Sequence, residues 1–302
     1  MQTRKQFIKT VASSGALALL PTDFLYAQPK ESYTKITILH TNDQHSRIEP
    51  FEISHKKFGG AGGFAPRAAL IDQIRKEEKH ILLLDAGDIF QGTPYFNFFG
   101  GELEFKLMSK LGYDLATLGN HDFDNGIDGF VKQLPHAQFN FVNANYDFSN
   151  SALNGVIKPY HIFNKGSIKI GVFGLGIQLE GLVDPKNYGE IRYLDPIETA
   201  QDQAYYLKHR EKCDLIICLS HLGYQYQEDK ISDIKLAQNT QDIDLIIGGH
   251  THTFLDEPVL IKNQKGKDVI VNQVGWAGLY LGRIDFYLSK GKKKSEHKRI
   301  KV

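Results

Sequence analysis

Cysteine is almost absent, with only Cys213 and Cys218 in the chain. That excludes a small scaffold stapled by disulfides. The two lie in one apolar run, where residues at that spacing sit roughly 16 Å apart on extended backbone. A bridge tolerates only about 7 Å between α-carbons, so both are expected as buried free thiols. An excess of either charge is also missing, with 36 basic against 35 acidic residues and a formal net charge of +1. Such a balance speaks against a nucleic-acid binder, which carries a basic face, but not against a small anionic substrate held by metal. Beyond the N-terminus no apolar run is long enough to cross a bilayer, so no transmembrane segment is expected. The glycine-rich stretch Phe58–Gly63 lacks the Walker pattern and is read as a tight turn near the site rather than a phosphate loop. No repeat or linker divides the chain; one domain is expected over 33–289, with 290–302 as a solvated basic tail.

What precedes that domain has the make-up of an export signal. Arg4, Lys5 and Lys9 form a basic start, Val11 to Leu20 a short apolar stretch, and Ala27 a small residue suited to cleavage. Residues 1–27 are therefore expected to be a signal peptide, which implies a periplasmic or extracellular protein. The segment also resembles a twin-arginine export signal, with Lys5 in place of the second arginine.

The chemistry sits at the ends of apolar runs. Lys35–His40 leads to Asp43 and His45, Ile81–Leu84 to Asp88, and Tyr113–Leu118 to Asn120 and His121. Asp214–Leu219 leads to His221, and Asp244–Ile247 to His250 and His252. In α/β sheets, sites form beyond the carboxyl ends of the strands. One such residue is ordinarily a cap or a turn, but this set uses His45, His121, His221, His250 and His252 out of 12 histidines. On extended backbone Asp43 and His45 point the same way and suit one metal, whereas Asn120 and His121 point apart. One of that second pair can then bind metal while the other faces substrate, with Asp124 near enough to orient the imidazole. Mixed His, Asp and Asn donors suit Zn, Mn, Fe or Co rather than Ca or Mg. Two divalent ions against the Asp43 and Asp88 carboxylates leave a positive site that attracts a phosphate dianion.

Asp43-Gln44-His45, Gly87-Asp88, Gly119-Asn120-His121, Ser220-His221 and Gly249-His250-Thr251-His252 together resemble the calcineurin-like metallophosphoesterases. Asp85-Ala86-Gly87-Asp88 with Gln91-Gly92-Thr93-Pro94, Phe123-Asp124 and Tyr280-Leu281-Gly282-Arg283 narrow the likeness to the 5'-nucleotidase branch. The resemblance implies an α/β fold, a four-layer αββα sandwich holding two divalent transition-metal ions (Zn, Mn, Fe or Co). It also implies hydrolysis of nucleotides or related small phosphate esters by hydroxide shared between the ions. Asp43, His45 and His252 would hold one ion, Asn120, His221 and His250 the other, and Asp88 would bridge them. His121, oriented by Asp124, would stabilise the phosphoryl transition state and assist the leaving oxygen. Asp122 stands where the branch often has Glu and is expected to stay off the metals. Members of the branch continue into a second domain that stacks the base. With the chain ending at Val302, either weak base preference or a separately encoded nucleotide-binding domain is expected. Tyr95, Phe96, Phe98, Phe99 and Trp276 are read as core rather than as base-stacking residues. A related branch implies a second reading, a hydrolase of thiosulfonate groups. A third, a non-catalytic binding subunit, would need a lost ligand or a lost His121, and neither is lost.

Overall fold

Side-chain alternation along the apolar runs decides how the sheets stack. The computed structural model describes residues 33–289 and 291–302, so the expected signal segment at 1–27 lies outside the described residues. In chain order the strands are β1 (Thr34–Thr41), β2 (Ile81–Asp85), β3 (Leu115–Ala116), β4 (Asn140–Phe141), β5 (Tyr146–Asp147), β6 (Tyr160–Lys165) and β7 (Ile168–Leu175). They continue as β8 (Arg192–Tyr193), β9 (Leu215–Ser220), β10 (Leu245–Gly248), β11 (Val259–Lys262), β12 (Asp268–Asn272), β13 (Tyr280–Ser289) and β14 (Lys292–Lys301). One six-stranded sheet runs β14-β13-β1-β2-β3-β4, the other β11-β12-β10-β9-β7-β6, and β5 pairs with β8 alone.

In β2, Leu82 and Leu84 enter the apolar layer between the sheets while Leu83 faces the other way. Leu215, Ile217 and Leu219 of β9 enter that same layer, and Ile216 and Cys218 turn outward. The outward residues of the first sheet are covered by the helices Phe64–Glu77 and Glu102–Leu111, through Ile71, Ile74, Phe105 and Met108. Those of the second are covered by Pro196–Tyr205 and Asp233–Asn239, through Ala200, Ala204 and Leu236. This is the expected helix–sheet–sheet–helix sandwich, with period-2 strands burying both faces. Cys213 and Cys218 are both buried and free.

Some elements differ from expectation. The run 113–118 shrinks to the two residues of β3. The helix from Pro196 stops at Tyr205 and closes in a π turn over Tyr206–Arg210. Residues expected as a solvated basic tail form β14, which pairs with β13 over its whole length, Tyr280↔Lys301 to Ser289↔Lys292. Backbone hydrogen bonding to an open edge outweighs the weak strand preference of lysine, and lysine on such an edge discourages further pairing. Among the described residues no helix is long and apolar enough to cross a membrane.

Candidate metal centre

β1, β2 and β3 run parallel to one another in the first sheet, as β9 and β10 do in the second, so their carboxyl ends gather along one rim. The first sheet delivers Asp43, His45, Asp88 and Asn120 there, and the second delivers His221, His250 and His252. The donor atoms collect in two groups, Asp43 with His45 and His252, and Asp88 with His221 and His250. Within the first group His45 Nε2 lies 2.9 Å from His252 Nε2, and His252 Nε2 lies 3.4 Å from Asp43 Oδ1. Within the second, His221 Nε2 lies 3.0 Å from Asp88 Oδ2. Asp88 Oδ2 is also 3.9 Å from His45 Nε2, so this carboxylate stands between the groups. Asn120 Oδ1 joins the second group, 2.8 Å from His250 Nδ1.

The donor set fits divalent ions. His221 Nδ1 meets the Ala86 carbonyl at 2.7 Å, and His45 Nδ1 meets the Phe90 carbonyl at 3.3 Å. A ring nitrogen facing a carbonyl must carry the proton, which leaves Nε2 of each neutral ring with a bare lone pair aimed into the cluster. His221 Nε2 is fully buried and has no hydrogen-bond partner, although Asp88 Oδ2 is within 3.0 Å. Near approach without donor alignment is how two ligands of one ion face each other. An orphaned nitrogen in a dry pocket would otherwise be costly.

The backbone bringing these groups together is not extended. Asp43, His45, Asp88, His250 and His252 have φ of 49°, 48°, 56°, 73° and 51°. Left-handed backbone at non-glycine residues is uncommon and concentrates at functional sites. Asp43 and His45 thus converge through tight turns rather than through strand alternation. Asn120 and His121 diverge for another reason too: Asn120 is helical (φ −68°, ψ −36°) and opens the 3-10 turn His121–Phe123. His121 Nδ1 lies 2.8 Å from Asp124 Oδ2, and this hydrogen bond raises the imidazole's pKa.

Residues outside the expected set hold the turns. Buried Asp122 keeps off the donor groups, as expected, and its carboxylate accepts the backbone N–H groups of Gly119, Asp88, Ile89 and Phe90 at 2.8–3.2 Å. Burial pushes this carboxyl up to about 7. Gln273 at the end of β12 donates to the Gly249 carbonyl at 2.5 Å and accepts from Thr251 Oγ1 at 3.1 Å, fixing the loop that carries His250 and His252. Asn42 Nδ2 bonds Asp43 Oδ2 at 2.6 Å. Beneath His221, Ser220 Oγ bonds Asp233 Oδ1 at 2.5 Å. The polar Asn42 and Ser220, each next to a ligand at a strand end, were the available signal; nothing local marks Gln273.

The aromatic residues read as core divide. Phe96 is buried on Phe90, at 5.4 Å between ring centroids, but Phe98 and Phe99 are 82% and 48% exposed. The six-residue helix Pro94–Phe99 is too short to bury more than one face. Trp276 is half-buried, packed on the small buried cluster around Phe51 at 5.9 Å between ring centroids and with its ring parallel to His252 at 5.7 Å, so it borders both core and site.

A two-layered sheet sandwich with donors from both sheets at one rim defines a metallophosphoesterase architecture. The family model for calcineurin-like phosphoesterases matches residues 36–254, and the chain belongs to that family. Its similarities lie with 5'-nucleotidases. The chain is 37% identical to a snake venom 5'-nucleotidase from Gloydius brevicauda over 83% of this chain and 45% of that protein. It is 37% identical to a 5'-nucleotidase of Vibrio cholerae over 85% and 49% of the two. The solved 5'-nucleotidase precursor from Thermus thermophilus superposes with a TM-score of 0.81 at 34% identity, over 89% of this chain and 55% of that one. The chain thus spans about half the length of the curated relatives it matches.

Proposed function

We propose that this chain is an exported phosphoesterase that hydrolyses nucleotides or related phosphate esters with two divalent transition-metal ions. The observation that carries the reading is the pair of neighbouring donor groups, with Asp88 Oδ2 of one 3.9 Å from His45 Nε2 of the other and the His121–Asp124 pair beside them. Asp43, His45 and His252 would hold one ion, Asn120, His221 and His250 the other, and Asp88 both. Ions held there would supply positive charge to the ester phosphate and lower the pKa of a water for in-line attack on phosphorus. The protein's own part is positional. His121, kept protonated by Asp124, hands its proton to the departing alkoxide oxygen as the P–O bond breaks. Asp122 and Gln273 keep the donor loops from relaxing. Export rests on the basic-then-apolar make-up of residues 1–27, whose Arg4-Lys5 pair resembles a twin-arginine signal with lysine in the second position. The thiosulfonate reading is not favoured, because relatives at about a third identity are 5'-nucleotidases.

The test is metal analysis joined to a panel of nucleotides, cyclic nucleotides and sugar nucleotides, with Mn, Zn or Co added. Wild-type protein should bind two ions and release phosphate or nucleoside, and Asp88→Asn should lose both ions together. Loss of one ion alone would remove Asp88 from the bridging position, and a protein inert on every ester would refute the proposed activity.

A further inference from the structure

We propose that a tyrosine-lined cavity beside the His121–Asp124 pair seats the base of a nucleoside leaving group, a subsite formed by this chain itself. The proposal rests on the reading of the site as a nucleotide phosphoesterase. The cavity measures about 210 Å³ and is walled by Tyr146, Leu179, Tyr188, Ile191 and Tyr193. β5 and β8 pair Tyr146 with Tyr193, their rings 6.2 Å apart. The segment Gln178–Leu179 follows the carboxyl end of β7, which runs parallel to β9, the strand that leads to His221.

Two contacts tie it to the reacting end. Asn187, the neighbour of Tyr188, donates its side-chain N–H to the Asp124 carbonyl at 3.0 Å. Tyr146 meets Phe123, which lies between Asp122 and Asp124, edge-on at 5.9 Å. Through these contacts the recess adjoins the 3-10 turn that carries His121.

The lining selects the occupant. Tyrosine faces stack on flat heterocycles of any sequence. The Tyr193 hydroxyl is buried without a hydrogen-bond partner, and burial keeps it protonated, so it is a spare donor or acceptor for a ring nitrogen or carbonyl. The Glu180 carboxylate at the edge repels a second phosphate and leaves the uncharged nucleoside end as the guest.

Adenosine titrated calorimetrically into the metal-loaded protein reads the cavity without phosphate or chemistry, because adenosine carries no ester to hydrolyse. Saturable binding is expected, weakened about tenfold by Tyr188→Ala, which removes a stacking face, and several-fold by Tyr193→Phe, which keeps the ring and removes only the hydroxyl. In metal-loaded protein, the ratio of kcat/KM for AMP to that for ribose 5-phosphate should fall about tenfold in Tyr188→Ala, with KM carrying the change. No saturable adenosine binding, or binding that both variants leave intact, overturns the subsite. Failure to hydrolyse either ester overturns the phosphoesterase reading alone, and adenosine binding still decides the cavity.

Discussion

His121 is set apart from the seven donor residues by its partner. Its neighbour Asn120 reaches His250, while its own Nδ1 is engaged by Asp124 at 2.8 Å and Nε2 is left for substrate. His121→Ala should therefore lower kcat by about 10²–10⁴, the usual range for a lost general acid, with metal content unchanged. Loss of an ion in that variant, measured by elemental analysis, would assign the ring to the metals instead. The identity of these residues was legible because each follows an apolar run, and parallel strands carry their ends to one rim. Their conformation was not. Left-handed backbone at Asp43, His45, Asp88, His250 and His252 is enforced by distant partners such as Asp122 and Gln273, which no local pattern marks.

At the level of elements, the turn after β3 leaves no room. A Cβ on Gly119 would stand 2.1 Å from Asp88 Oδ1 and 2.5 Å from Asp88 N. Gly119→Ala should displace the carboxylate placed between the two donor groups. The expected outcome is loss of both ions and of hydrolysis with a nearly unchanged far-UV spectrum. An alanine variant with full metal content would show that Asp88 has freedom the packing denies it. Strands with alternating or continuous apolar runs, such as β1, β2 and β9, declared themselves, because burial on both faces demands that composition. β14 did not. It is held by backbone pairing along an edge, and its exposed lysines and Glu296 contribute nothing that a hydrophobic pattern can register.

For the molecule as a whole, the outer face of the first sheet carries an ionic cluster whose behaviour depends on pH. Asp285 on β13 accepts from Thr37 Oγ1 at 2.6 Å and Arg283 Nε at 3.0 Å, and lies 3.3 Å from Lys35 Nζ. Burial alone would raise its pKa, but the hydrogen bonds from Arg283 and Thr37 prevail and hold it below the ordinary 3.8. A depressed carboxyl stabilises the fold above its unfolded pKa and loses that contribution as pH falls through the folded value. Asp285→Asn should thus be less stable than wild type by about 2 kcal/mol at pH 7, with the gap closing as pH falls below the ordinary carboxyl value and through the lowered folded one. Thermal unfolding at stepped pH measures it, and a gap that stays constant into acid would dissociate the cluster from acid lability. The sandwich itself was legible only through the family resemblance, since no residue pattern states which sheet faces which.

Because the donors come from both sheets, the apolar layer between them acts as a ruler. Leu84, Ile217 and Ile247 touch no ligand, yet their bulk sets how far Asp88 stands from His221 and His250. Trimming a methyl group deep in that layer should let the two halves settle closer and alter the spacing between the two donor groups at the rim. Activity in this fold is thus sensitive to substitutions that look purely structural. Conversely, occupied metal positions clasp the sheets together, so chelation should loosen the sandwich from the rim inward.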